Sequence, residues 1–240
     1  DVYKRQIQGQ LFENRNFMAQ VVVPDLLAAC DKAPTAESRD GCAALKGWDR
    51  RSNVDARGAH VFREFWRTAR NIPGVHRVPF DPAQPVATPA GLKMDDATTA
   101  AKVWEALDGA VKAIRTSGYT LDATLGSVQR PAITEEAIAL HGGEEFEGVL
   151  NNLGRQEPAP INKAGLRIDY GTSYVQTVTF DAKGPVAQAI LTYGQSTDPA
   201  SPHANDQMRE FSAKRWHTLP FHRDDVVKAR VGDPLRLVRP

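Results

Sequence analysis

The sequence predicts an α+β fold, with a helical first half followed by a β-hairpin and short helices. Between residues 95 and 118, apolar residues recur at steps of three and four, which places them on one face of a helix. Residues 174–180 and 186–193 are rich in β-branched and aromatic side chains, and the turn sequence 181–184 joins them. The character changes near residue 121, so the mainly helical part is 7–121 and the sheet-containing part is 122–240.

The first three predicted helices occupy residues 11–46. Apolar residues between Leu11 and Val22 predict the first, and Pro24 begins a second over Pro24–Cys30, because proline is tolerated in the first turn of a helix. Thr35 is predicted to cap a third helix over Thr35–Lys46. Gly47 would close it in the left-handed conformation.

Two further helices complete the first half. Phe62, Phe65 and Trp66 fall on one face of a helix over 59–67. Asp95 or Asp96 caps the helix that ends at Gly118. Between them, residues 71–94 contain five prolines and predict an extended connector rather than a helix.

After the hairpin, two short helices are predicted. Ser201 and Pro202 would begin one that runs to about Lys214, since serine caps and proline fits the first turn. The other covers Arg223–Ala229, and the last residues form a loose tail.

Charge and hydropathy exclude two classes of partner. The 240 residues carry 30 Lys and Arg against 29 Asp and Glu, a formal net charge of +1. Because the positive and negative charges nearly cancel, the sequence predicts neither nucleic acid nor an anionic membrane surface as a partner. The apolar stretches are far shorter than the roughly 18 residues that span a bilayer, so no membrane span is predicted.

The first six residues, Asp1–Gln6, resemble the in-frame translation of a sequencing-library transposon adapter. We therefore expect residues 1–6 to be a cloning scar and leave them out of the fold prediction. The same interpretation predicts that upstream sequence is missing.

Local catalytic motifs are absent from the sequence: it has no Gly-x-Ser-x-Gly elbow, no Walker loop and no His-Glu-x-x-His. The amides of Gly142 and Gly143, after His141, could face an oxyanion, but a turning strand end is favoured. His60 and Glu64 are four residues apart, which favours an ion pair over a metal site.

Asp198, His203 and Asp206 carry ligand atoms for a cation, but their spacing matches no ligand template. Turn and capping roles are favoured for these three side chains. The sequence therefore predicts no metal, no cofactor and no locally encoded catalytic residue.

Cys30 and Cys42 are twelve residues apart, at the end of one predicted helix and inside the next. Neighbouring helices can bring their Cα atoms within disulfide reach. The alternative is two small, buried, unpaired side chains. The spacing excludes Cys-x-x-Cys redox chemistry.

Several long strings resemble the penicillin amidase (penicillin acylase) family. They are residues 170–176 (YGTSYVQ), 184–187 (GPVA) and 191–203 (LTYGQSTDPASPH), with shorter matches at 206–207, 214–216 and 219–221. Upstream, residues 14–16 (NRN), 24–30 (PDLLAAC), 48–49, 57–59 and 62–66 (FREFW) resemble the aculeacin A acylase and acyl-homoserine-lactone acylase branch of that family.

The resemblance implies an N-terminal-nucleophile hydrolase with an αββα fold. Such a protein is a periplasmic or secreted precursor that cuts itself into two subunits, exposing a serine whose own α-amine is the base for amide hydrolysis through an acyl-enzyme. The substrate would be an N-acylated small molecule: an acyl-homoserine lactone, a lipopeptide or a β-lactam. Export also implies that Cys30 and Cys42 form a disulfide.

The resemblance covers only the C-terminal part of the family's large subunit. The nucleophilic serine, its neighbouring histidine and the oxyanion asparagine lie upstream, so no catalytic residue is assigned here. Ser173, Ser196 and Ser201 are internal and lack a free amine. We expect the chain to be one inactive structural unit of a larger, truncated subunit, whose partners are the N-terminal part of that subunit and the small subunit of the same precursor.

The alternative is a noncatalytic binding or scaffold module whose polar loop at 194–202 contacts a partner. The acylase interpretation predicts a hairpin with an unpaired edge, because neighbouring strands would come from the missing part. Val178→Asp or Leu191→Asp would disrupt this sheet if the side chain faces the core.

Overall fold

The computed structural model describes residues 2–237, which form two compact units. The larger unit contains residues 10–172, and the smaller contains residues 2–9 with residues 173–237. The predicted change of character near Leu121 lies inside the larger unit. Asp1, from the hexapeptide predicted to be a scar, and residues 238–240 of the predicted tail lie outside the described residues.

Helices dominate the first half and short strands the second, so the α+β prediction is confirmed. The helices are α1 Val2–Phe12, α2 Phe17–Ala28, α3 Ala36–Lys46, α4 Ala59–Ala69, α5 Ala97–Thr116, α6 Leu125–Val128, α7 Asp206–Ser212 and α8 Arg223–Lys228, with 3-10 turns at Cys30–Lys32 and Glu145–Glu147. The strands are β1 Gln129–Pro131, β2 Leu153–Gly154, β3 Leu166–Ile168, β4 Tyr170–Gly171, β5 Tyr174–Asp181, β6 Gly184–Leu191 and β7 His217–Leu219.

Three small sheets arise from these strands. In the larger unit, β1 pairs in parallel with β3, and β2 pairs antiparallel with β4. In the smaller unit the order is β5-β6-β7, with both pairs antiparallel. None of the described helices combines the length and the apolar character needed to cross a bilayer.

The predicted caps of α3 and α5 are confirmed. Thr35 accepts a hydrogen bond from the amide of Ser38 at 3.0 Å, and Asp96 accepts one from the amide of Thr99 at 2.8 Å. Helix α5 ends before Gly118, whose φ of +84° suits glycine. The apolar stripe of α5 is buried, as its spacing predicts.

The core of the larger unit lies where α4 packs against α5 and α3 packs against both. Phe62, Phe65 and Trp66 of α4 are buried as predicted, with the ring centroids of Phe62 and Trp66 6.3 Å apart. Trp48 packs on Phe62 at 5.4 Å between centroids. These aromatic contacts hold α4 in a fixed orientation, which positions the charged residues on its other face.

The first helices differ from the prediction. The chain breaks at Asn14, where φ is +50°, and Asn16 caps α2 by accepting from the amide of Ala19 at 2.9 Å. Pro24 does not begin a helix; it lies inside α2. The helix continues because Val22, Val23 and Leu26 are fully buried, and that burial outweighs the hydrogen bond that proline removes.

Gly47 is also not left-handed: its φ is −84°, and the left-handed residue comes three positions later, at Arg50 with φ +61°. The buried side chain of Trp48 anchors the intervening turn. The proline-rich connector is non-helical as predicted, but it folds back on itself through paired hydrogen bonds between Val78 and Ala90.

The predicted hairpin is confirmed in the smaller unit. Its register runs from Tyr174 opposite Leu191 to Asp181 opposite Gly184. Helix α8 also forms close to its predicted bounds. Helix α7 begins later than predicted, at Asp206, because residues 201–205 form turns instead. In these turns the carbonyl of His203 accepts a hydrogen bond from the amide of Gln195 at 2.9 Å.

One face of the hairpin is exposed. Tyr174, Val178 and Phe180 of β5 point to this face, and Val178 is 51% exposed. Val178 therefore does not meet the condition under which its substitution by aspartate would break the sheet. Within residues 2–237, β5 pairs with β6 alone and leaves its other edge open.

Candidate functional site

A buried ion pair joins α4 to the 3-10 turn Glu145–Glu147. The Nε of Arg63 donates to Oε2 of Glu147 at 2.7 Å, and both side chains are fully buried. Arg63 also donates to the side chain of Gln129 and to the carbonyl of Gly142. Asn16 donates to the second oxygen of Glu147 at 2.8 Å. Each charge is thus neutralised and hydrogen-bonded, which a buried ion pair requires.

A second cation, Arg67, lies between two buried carboxylates. Its Nη2 is 3.2 Å from Glu64 and 3.6 Å from Glu144. Burial raises the pKa of Glu64 and the pKa of Glu144 above their ordinary values, against the opposing attraction of the neighbouring arginines. One face of α4 therefore holds two arginines among three buried carboxylates.

Beside this network, His141 is held by two amides. Its Nδ1 is 3.3 Å from the side-chain nitrogen of Asn14 and 3.0 Å from that of Asn151. Because amide nitrogens only donate, Nδ1 accepts and the proton of a neutral ring lies on Nε2. The ring meets Phe12 edge-on at 5.0 Å between centroids.

The two glycines after His141 do not form an oxyanion hole. The amide of Gly142 donates to Ser52 at 2.8 Å and that of Gly143 donates to Asn151 at 3.2 Å, so both donors are already used. Gly142 has φ +108°, and an added Cβ would lie 2.6 Å from the carbonyl oxygen of Asn151. Glycine serves the turn here, as the favoured interpretation holds.

A cleft of about 290 Å³ opens next to the ion network of the larger unit. Its walls come from the end of α4, the turn Glu145–Glu147, and strands β2 and β4. The lining residues are Arg70, Glu144, Glu145, Phe146, Asn152, Gly154, Arg155, Gln156, Pro158 and Tyr170. The guanidinium of Arg70 stands 4.7 Å from the ring centroid of Phe146.

The other polar groups singled out in the sequence have local roles. His60 and Glu64 do not pair as predicted: Nε2 of His60 meets the carbonyl of Thr120 at 3.0 Å, while Glu64 pairs with Arg67. Burial lowers the pKa of His60, which keeps this ring neutral.

Asp198, His203 and Asp206 serve turns. His203 pairs with Asp206 at 2.9 Å, and Asp198 accepts from the amide of Ala200. The hydrogen bond from His203 lowers the pKa of Asp206. Among the described residues no group of three or more His, Cys, Asp or Glu side chains is arranged to hold a metal.

Two of the internal serines, Ser196 and Ser201, accept hydrogen bonds within turns. Ser196 accepts from the amide of Asp198, and Ser201 accepts from that of His203, both at 3.2 Å. The carbonyl of Ser173 accepts from Thr192 at 3.0 Å.

Cys30 and Cys42 are joined in the structure by a disulfide, with Cα atoms 6.0 Å apart. The bond links the 3-10 turn Cys30–Lys32 to α3. Of the two alternatives that the spacing leaves open, the structure contains the bridge.

Sequence reasoning missed Arg63, Arg67, Glu144, Glu147 and Arg155. The first two lie on a helix whose aromatic stripe was recognised, and one signal for them was present: arginines at 63 and 67 are four apart on the same face as Glu64. Their other carboxylate partners, Glu147 and Glu144, lie roughly 80 positions downstream, where no spacing rule applies.

Comparison with known proteins decides the family. The family model described as penicillin amidase matches residues 3–228. The chain belongs to the penicillin amidase family. This confirms the resemblance carried by residues 14–66 and 170–221.

Named relatives of this penicillin amidase chain are acylases. It is 34% identical over 221 residues to an acyl-homoserine lactone acylase PvdQ of Pseudomonas fluorescens, covering 92% of the chain and 28% of that protein. It is 33% identical over 219 residues to the aculeacin-A acylase of Actinoplanes utahensis, covering 88% of the chain and 26% of that protein. The chain therefore spans little more than a quarter of the length of the curated relatives that it matches.

Among solved structures, a thermostable penicillin G acylase from Alcaligenes faecalis is similar with a TM-score of 0.41 and 16% identity. The match covers 91% of this chain and 46% of that one.

Proposed function

We propose that the chain is the C-terminal part of the large subunit of an acylase that hydrolyses an amide bond of an N-acylated small molecule. One observation carries the proposal: the curated relatives with 33–34% identity over about nine-tenths of the chain are acylases, and the chain covers 26–28% of them. The substrate class follows from their names: an acyl-homoserine lactone or an acylated lipopeptide, with β-lactams as a third class by family.

The reaction would follow the nucleophilic route of the family. A serine oxygen attacks the amide carbonyl carbon, the C–N bond breaks, and the amine leaves with a proton. Water then hydrolyses the acyl-serine ester, which releases the carboxylic acid and restores the serine. The serine, its base and the oxyanion donors would lie in the preceding part of a self-cleaving, periplasmic or secreted precursor.

The geometry of the described residues supports a structural role. Ser196 and Ser201 accept hydrogen bonds within turns, and the amides of Gly142 and Gly143 are engaged. The open edge of β5 and the exposed side chains beside it are suited to pairing with strands of the same precursor.

The test compares the 240-residue chain with a complete precursor that contains it. We expect the precursor to release fatty acid from an N-acyl homoserine lactone or from an acylated chromogenic anilide, and the chain alone to release none. A precursor carrying Ser173→Ala, Ser196→Ala and Ser201→Ala is the matched control and should keep its activity.

Two results would contradict the proposal. The first is hydrolysis by the 240-residue chain that disappears in the triple serine variant. The second is a complete precursor that hydrolyses none of the three substrate classes and instead captures a partner through residues 194–202, which would favour the binding-module alternative.

A further inference from the structure

The open edge of β5 lacks the features that protect exposed strand edges in natural proteins. Residues 174–180, Tyr-Val-Gln-Thr-Val-Thr-Phe, contain no charged residue and no proline. Within residues 2–237, β5 pairs with β6 on one side and with no strand on the other. Natural proteins usually blunt such an edge with lysine, proline or a bulge, or cover it. An unguarded edge of this length therefore indicates that a further strand covers it.

The C-terminal segment, residues 230–237, has features of such a strand. Leu235 and Leu237 alternate with Arg236, so an extended chain places both leucines on one side. Pro234 comes directly before them, and a proline is tolerated at the start of an edge strand. The two leucine side chains are 92% and 93% exposed, so both gain apolar contact if the segment packs against a sheet.

The C-terminal segment starts close to the hairpin turn. Ala229, which caps the end of α8, lines one groove with Asp181 and Pro185. The chain then bends at Gly232, where φ is +79°. Residues 230–234 can span about 17 Å when extended, whereas two strand spacings are only about 10 Å. Leu235 can therefore reach the outer side of β5.

The order of the strands favours the same position. Strands β5, β6 and β7 are consecutive in the chain, adjacent in the sheet and antiparallel. Helix α8 then forms a connection that returns the chain to the hairpin turn. A fourth strand beside the first of three gives the spatial order 4-1-2-3 of a Greek key. Because the C-terminal segment starts at the turn, it would run antiparallel to β5.

From these observations we propose that the C-terminal segment supplies a fourth strand, which begins at Leu235 and pairs with the open edge of β5. Leu235 would lie opposite Phe180, and Leu237 opposite Val178. This register places four apolar side chains together on one face of the sheet, as cross-strand pairs that stabilise it. The segment would cover the edge of β5 and leave the face free, so the inference does not depend on the acylase proposal.

The register also brings two opposite charges together. Arg236 would point to the face opposite the leucines, diagonal to Asp181 at the end of β5. The carboxylate of Asp181 accepts a hydrogen bond from the amide of Lys183 in the turn, which holds it at this end of the strand. Opposite charges on neighbouring strands favour the pairing.

Hydrogen exchange of the 240-residue chain tests the pairing. We expect Leu235→Asp with Leu237→Asp to speed exchange in β5 by about tenfold or more, because the outer amides lose their partners. The matched control is Val231→Asp: Val231 is 98% exposed and precedes the pairing residues. It should change exchange in β5 by less than about twofold. Exchange in β7, at the other edge of the sheet, should be the same in all three proteins.

A cross-link identifies which chain supplies the strand. The variant Phe180→Cys with Leu235→Cys should react with a short bis-maleimide to give a link within one chain, because Cys30 and Cys42 are joined to each other and do not react. The control is Phe180→Cys with Val231→Cys, which should give much less of this product. Gel electrophoresis separates linked dimers, and peptide mass spectrometry locates the link.

Three outcomes would overturn the inference. The first is unchanged exchange in β5 of the variant with two aspartates, and the second is an equal effect of Val231→Asp. The third is a cross-link within one chain that is no more abundant than in the control. If linked dimers form in its place, a second copy of the chain covers the edge instead.

Discussion

The larger unit buries charge and the smaller unit exposes apolar surface. In the larger, Arg63 and Glu147 are fully buried and linked at 2.7 Å. In the smaller, Val178 and Phe180 are 51% and 76% exposed on a strand with one open edge. The first arrangement is complete in itself, because every charge of that pair has partners. The second gains stability when something covers it.

The largest expected effect is the loss of one partner in the buried ion pair. Arg63→Leu leaves the Glu147 carboxylate buried without its cation, which should lower the free energy of unfolding of the larger unit by about 3–5 kcal/mol. Urea denaturation followed by tryptophan fluorescence measures it, since Trp48, Trp66 and Trp104 lie in this unit.

The control is Arg115→Gln, which breaks the exposed pair with Asp40 at 2.6 Å. We expect less than about 1 kcal/mol from it. If the two variants lowered stability equally, the buried and the exposed ion pair would not differ in their contribution.

Removing the disulfide should have the second-largest effect on stability. Cys30 and Cys42 close a loop with a sequence separation of 12, and the chain-entropy relation gives about 3 kcal/mol for such a loop. Cys30→Ser with Cys42→Ser should lower the stability of the larger unit by about this amount. Hydrogen exchange should be unchanged in β5 and β6 of the smaller unit. If exchange became faster in β5 and stayed unchanged in α3, the disulfide would not be stabilising the larger unit.

Changing the pH should produce a smaller effect, confined to the larger unit. Because burial raises the pKa of Glu64 and Glu144 above 4.5, the folded state binds more protons than the unfolded state between that pH and their raised values. Their contribution to stability therefore rises as pH falls from neutral through this window. Below it, exposed carboxyls with lowered pKa, such as Asp96, contribute the opposite slope.

Urea midpoints from pH 7 to pH 4.5 measure this slope. Glu64→Gln should flatten it, and Asp96→Asn should leave it unchanged in that range. A slope that persists in the double variant Glu64→Gln, Glu144→Gln would show that other groups cause it.

The smallest expected effect on stability is that of Val178→Asp. The side chain is half exposed, so we expect a change below about 0.5 kcal/mol. The same substitution should reduce self-association of the chain, measured by sedimentation velocity, because it places a charge on an apolar strand edge. Ile190→Asp, at a fully buried position of β6, is the contrast and should unfold the hairpin. Unfolding by Val178→Asp would show that this face is covered.

Sequence alone predicts the elements whose signals are local. Helix α5 has a continuous stripe, an aspartate cap and a closing glycine, and the hairpin has two strand-like runs with a turn between them. The bounds of α2 are predicted wrongly. Pro24 is a strong local signal for a helix start, but the tertiary burial of Val22 and Val23 overrides it.

The candidate site is not predicted from the sequence, for a different reason. The parallel pairing of Gln129–Pro131 with Leu166–Ile168 involves three residues in each strand, too few for a period of two to be recognised. The partners Arg63 and Glu147 are 84 residues apart, and Arg155 and Glu144 come to line one cleft only in the folded chain. Long-range pairing of polar side chains leaves no spacing rule in a single sequence.

Gln8 carries one more consequence, for the order of folding. Its side-chain nitrogen donates to Thr177 at 2.8 Å and to Gln188 at 3.0 Å, so an early segment of the chain completes a sheet formed by a much later one. During synthesis residues 2–9 leave the ribosome before residues 10–172, and their partners in residues 173–237 appear only after that whole segment. The larger unit can therefore fold on the ribosome while residues 2–9 are still without their partners, and the smaller unit forms only after residues 173–237 are made.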